Sequence, residues 1–81
     1  MKEKNAAMTL DDIKPGCECR VVDVTVDGAT GQRLMDMGFI PGTKVKVVFN
    51  APLVDPVDLQ LRGYHVGIRH SEATGVEVEE A

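Results

Sequence analysis

The chain has 81 residues, a net charge of −4 and 43% hydrophobic residues, which allows one domain with one small core. An acidic chain with scattered Lys and Arg does not fit nonspecific nucleic-acid binding or an anionic membrane surface, and no apolar run reaches the ~18 residues of a membrane span. Phe39, Phe49 and Tyr64 are its only aromatics, too few for a base-stacking platform or a groove for Pro-rich ligands.

Residues 1–7 are polar and lack the hydrophobic stretch of a secretory leader. They read as a disordered tail before a single domain over residues 8–81. Thr9, with Asp12 three residues on, has the form of a capping box and predicts a helical turn over residues 10–13. Pro15-Gly16 stops it. Residues 17–21 and 22–26 each alternate apolar and polar, but the two runs are out of phase at Val21-Val22. One strand with a β-bulge or a sharp bend there accounts for the slip.

Residues 30–37 read as a helix of about two turns, with Leu34 and Met37 on one face. Gly38 stands where a left-handed cap closes a helix, and Pro41-Gly42 reads as a type II turn. Residues 43–50 form a strand with Val45, Val47 and Phe49 inward and Lys44 and Lys46 toward water. Pro52 and Pro56 bracket a loop over residues 51–56 that does not fit a central strand. Val57, Leu59 and Leu61 alternate with polar residues, as do Tyr64, Val66 and Ile68. A two-residue loop at Arg62-Gly63 pairs Leu61 with Tyr64, Leu59 with Val66 and Val57 with Ile68, all on one face. A further helical turn at residues 71–73, broken by Gly75, precedes a last strand holding Val76 and Val78. The predicted architecture is mainly β: a small five-stranded SH3-like barrel with a short helical insertion between the first two long strands.

The chain holds no G-x-S-x-G, Gly-rich phosphate loop or H-E-x-x-H, and its carboxylates are dispersed, so it does not read as an enzyme. Cys17, Cys19, His65 and His70 carry the soft and imidazole ligands that suit Fe²⁺ or Zn²⁺. Their C-x-C and H-x4-H spacings match no common finger, and cysteines in a strand pack as small hydrophobes. No cofactor is therefore expected, and a metal carrier or sensor using Cys17 and Cys19 is the alternative. Two reduced thiols fit a cytoplasmic location. Arg33, Met35 and Phe39 are not all needed by the core and form a candidate partner-binding patch.

The run from Arg33 through Met37, Gly38, Phe39, Pro41 and Gly42 to Thr43 resembles the signature of the ferrous iron transport protein A (FeoA) family. Ala51-Pro52-Leu53 with Asp55-Pro56, then Gly63-Tyr64, Ile68-Arg69 and Glu72-Ala73, continue the likeness over residues 10–78. The resemblance implies a cytosolic accessory or regulator of ferrous iron uptake. It also implies a partner, the membrane ferrous iron transporter with its cytosolic GTPase domain. No metal role carries over to Cys17 and Cys19, and a generic protein-interaction module is the further alternative.

Overall fold

A computed structural model describes residues 8–81. The tail expected over residues 1–7 lies outside the described residues. The strands are β1 (Glu18–Val24), β2 (Lys44–Ala51), β3 (Val54–Leu61), β4 (Tyr64–Ile68) and β5 (Val76–Glu80). They form one antiparallel sheet in the order β4-β3-β2-β1-β5. Helix α1 (Gly28–Asp36) joins β1 to β2, the short α2 (His70–Ala73) joins β4 to β5, and a 3₁₀ turn (Leu10–Asp12) leads into β1. The mainly β class and the helix between the first two long strands are those expected.

Local chemistry sets most of these boundaries. The backbone N–H of Thr9 donates to the Asp12 carboxylate at 2.9 Å, which closes the first turn as a capping box does. The bulge expected after Val21 appears as a register shift between Val21 and Asp23 against β5, with Val21 buried and Val22 exposed. Leu61 pairs with Tyr64, Leu59 with Val66 and Val57 with Ile68, as the hairpin alternation requires. Of those six side chains, Tyr64 is exposed and Val66 only partly buried. The Tyr64 hydroxyl instead donates to the Met37 carbonyl at 2.5 Å, which ties the hairpin to the end of α1. The core lies between the inward faces of the strands, with Leu34, Phe39 and Leu10 closing it.

Two expectations about β2 and β3 are corrected. Phe49 does not face inward: it is 43% exposed. The β2–β3 register shifts between Val47 and Phe49, so the inward alternation of Val45 and Val47 ends one residue before it. The segment 51–56 is not an open loop. β2 runs to Ala51, only Pro52 and Leu53 turn, and β3 begins at Val54, so Pro56 lies within an interior strand. The strand tolerates a residue without an N–H because Pro56 is paired in neither ladder: the β4 register starts at Val57, and the β2 register is irregular there.

Candidate partner-binding surface

The predicted patch of Arg33, Met35 and Phe39 does not form as one surface. Phe39 is fully buried, which corrects its placement in the patch. Gly38 has φ +111° and donates to Met35 O at 3.0 Å, while the Phe39 N–H donates back to Leu34 O at 3.1 Å. Those are the paired bonds of a Schellman motif, which brings the residue after the glycine onto the helix's last apolar turn. Leu34 and Phe39, both at 0% exposure, make that apolar contact. The Arg33 guanidinium forms an ion pair with Glu72 and reaches the Met37 sulfur at 3.7 Å. Glu72 also accepts the Arg69 backbone N–H at 2.9 Å, so Arg33 fastens α1 to α2. Met35 is 42% exposed and remains free for a partner.

The most exposed apolar group lies elsewhere, at the β2–β3 turn. Leu53 is fully exposed and sits at φ +63°, a left-handed conformation that costs a side-chain-bearing residue about 1–2 kcal/mol. Val54 and Phe49, also exposed, flank it along the hairpin. The turn is held from below. His70 Nε2 lies 2.9 Å from both Ala51 O and Val54 O, the carbonyls on either side of the turn. Its Nδ1 lies 2.5 Å from Asp11 Oδ1. All three partners are acceptors, so only the imidazolium, with both ring N–H groups, satisfies them. The hydrogen bond to Asp11 accordingly raises the His70 pKa, helped by the two carbonyls and opposed by desolvation. Beside it, the Asn50 amide donates to Asp11 O and Ile13 O at 3.2 and 3.1 Å. A preorganised turn thus presents one leucine to solvent.

The candidate metal ligands are scattered. Cys17 is exposed and precedes β1, whereas Cys19 is buried in the core, so the two do not share a strand face. Burial pushes the Cys19 thiol up to about 11, which keeps it protonated and inert at neutral pH. His65 is exposed on the polar face of β4, and both ring nitrogens of His70 are engaged. Among the described residues no three His, Cys, Asp or Glu side chains converge. No helix among them is long and apolar enough to cross a membrane.

Residues 8–80 match the family model described as the FeoA domain. A fusion protein of Fe(2+) transport protein A and Fe(2+) transporter FeoB from Porphyromonas gingivalis is 36% identical over 72 residues, which span 89% of this chain and 8% of that protein. The solution structure of a FeoA protein from Chlorobium tepidum superposes with a TM-score of 0.81 at 37% identity, covering 90% of this chain and 70% of that one. The zinc complex of FeoA from Stenotrophomonas maltophilia gives a TM-score of 0.82 at 30% identity, over 90% and 91% of the two chains. That protein is described as a procaryotic SH3 domain protein and a candidate activating factor of ferrous iron transport.

Proposed function

This chain belongs to the FeoA family of ferrous iron transport, and from that premise we propose that it is a non-catalytic cytosolic accessory of the membrane ferrous iron transporter, acting by binding the transporter's cytosolic part. The carrying observation is the Porphyromonas gingivalis fusion, in which a relative of this whole domain shares one polypeptide with the transporter FeoB. Fusion holds two units at high effective concentration. Where the two are separate polypeptides, a contact surface has to supply that proximity. The SH3-like fold of its relatives and the absence of a catalytic motif fit a binding role.

We place the contact at the β2–β3 turn. Leu53 offers a fully exposed apolar group on a turn already held by His70 and Asn50, so a partner that buries it has little ordering cost to meet. Met35, beside Arg33 on α1, is the second candidate. The test is a titration of the full chain against the transporter's cytosolic part, with and without guanine nucleotide. Leu53→Ala should weaken binding by about thirtyfold, the effect of losing a hot spot of ~2 kcal/mol, without changing the melting curve. If Leu53→Ala binds like wild type and Met35→Ala does not, the contact is on α1. If the wild-type chain fails to bind under either nucleotide condition, the reading is wrong.

A further inference from the structure

The net charge of −4 conceals a basic face. Arg20 of β1 lies directly opposite Lys44 of β2, and Lys46 of β2 lies opposite Gln60 of β3. Opposed residues in an antiparallel pair point to the same side of the sheet, so these side chains share one face. Arg62, in the β3–β4 turn, extends it: its guanidinium reaches Thr43 Oγ1 at 3.5 Å, beside Lys44. A shallow depression lined by Lys44, Lys46, Gln60, Arg62 and Glu18 runs across the three strands. Seven Lys and Arg lie among the described residues, and four of them are here.

Two features of this face work against the stability of the isolated chain. Like charges set directly opposite, as in Arg20 and Lys44, are destabilising. Arg62 takes φ +52° at a turn position where Asn, Asp or Gly would sit without strain. Glu79 stands opposite Arg20 and Glu18 opposite Lys46, which moderates the repulsion, but among the described residues none of Arg20, Lys44, Lys46 and Arg62 closes an ion pair. Local choices that break stability rules together on one face mark a surface used for something else.

We infer that the sheet face bearing Arg20, Lys44, Lys46 and Arg62 is a docking surface for an acidic polypeptide segment. Assigning that segment to the transporter's cytosolic part rests on the function proposed above. Charge complementarity selects the occupant, because carboxylates of a partner would relieve the Arg20–Lys44 repulsion. An anionic lipid surface fits less well. Glu18 and Glu79 stand opposite Lys46 and Arg20 in the ladder; a polypeptide can set its carboxylates on the cations and neutral residues over these two, whereas a continuous layer of headgroup phosphates cannot. Along β2 the outward run of Lys44 and Lys46 continues into one exposed valine, Val48, a small apolar group beside the Trp, Phe and Leu of a membrane-inserting face. It is distinct from the Leu53 turn, so the two surfaces act separately: the basic face steers and orients, and the leucine anchors.

The experiment titrates the isotope-labelled full chain with a glutamate-rich peptide and, separately, with a glutamine-rich peptide of equal length, following backbone amide shifts. The acidic peptide should move the amides of Arg20, Lys44, Lys46 and Arg62, and the neutral peptide should not. The exposed pair Lys44→Glu and Lys46→Glu should abolish the response, and Lys44→Gln with Lys46→Gln should weaken it while both variants melt like wild type. The charge-reversed protein should bind the transporter's cytosolic part about tenfold or more weakly, chiefly through a slower association with a shallower salt dependence. An unmoved face with the acidic peptide, or equal shifts with the neutral one, overturns the inference. So does co-sedimentation with phosphatidylglycerol vesicles through these residues when the acidic peptide leaves them unmoved. If wild type fails to bind the transporter but the acidic peptide still takes this face, the functional reading falls and the acidic-segment surface stands. If Leu53→Ala loses transporter binding and charge reversal changes neither affinity nor salt dependence, the functional reading stands and the transporter assignment of this face falls.

Discussion

Phe39 is buried because Gly38 turns the chain back over the helix it has just left. The amides of Gly38 and Phe39 return to Met35 O and Leu34 O, and that geometry delivers the Phe39 ring onto Leu34. Phe39→Ala should therefore behave as a core truncation, costing about 3–5 kcal/mol, against a total stability on the order of 5 kcal/mol for a domain of this size. Urea unfolding measures it, and Phe39→Leu is the control, at less than ~1.5 kcal/mol if the core repacks around it. An alanine variant with an unchanged midpoint would mean that the ring is not in the core. The residue was legible in the sequence in one respect: Gly38 announces a left-handed cap, and such caps bring an apolar residue with them. Reading Phe39 by its distance from the helical stripe alone leaves it on the surface, because helical periodicity ends at the cap and the Schellman contact does not follow it.

Elements were legible where two local signals agreed and obscure where a ladder slipped. The β3–β4 hairpin combines strict alternation with a two-residue turn, and each residue pair it implied is present. In β2 the alternation persists into Phe49, yet the register against β3 shifts between Val47 and Phe49, and nothing local in the sequence marks that slip. The packing of α1 was equally hidden. Gly31 is buried in the helix, and a Cβ there would stand 2.0 Å from Val26 O. In an exposed helix, replacing glycine by alanine gains about 1 kcal/mol. Here the obstacle is backbone, which cannot rotate aside, so the clash decides the sign. Gly31→Ala should lower the melting temperature, with an overpacking cost of about 1–3 kcal/mol or more, while Thr30→Ala on the exposed side of the same helix should leave it near wild type. A raised melting temperature for Gly31→Ala would mean that α1 is not seated against the end of β1 as described.

At the scale of the whole molecule, the supported turn was illegible because His70 gathers groups distant in sequence: Asp11 is 59 residues away, Ala51 19 and Val54 16. A histidine next to a short helix gives no sign of this. Its ring ties the entry turn, the β2–β3 turn and α2 into one unit, and its backbone N–H donates to Asp55 Oδ1 at 2.8 Å. Its ring is hydrogen-bonded to the Asp11 carboxylate and the two carbonyls, so protonation is favoured and the folded-state pKa lies above the ordinary 6.5. A raised folded-state pKa means that the folded chain holds its proton more tightly than the unfolded chain. The stabilisation is complete below pH ~6.5, and it fades as pH rises through the folded-state value. Cys19 adds a second loss, since its thiol is raised from 9.0 to about 11 and the unfolded chain releases that proton first. This loss acts at higher pH and is common to any variant that keeps Cys19. The difference between wild type and His70→Gln therefore isolates the histidine. Measured by urea unfolding from pH 5 upward, in a range anchored by that ordinary histidine value, the wild-type advantage should be largest at the acid end and shrink steadily with rising pH. Parallel curves would show that the His70 proton does not hold the three segments together. An advantage that grew with pH would show that the neutral imidazole is the form that does.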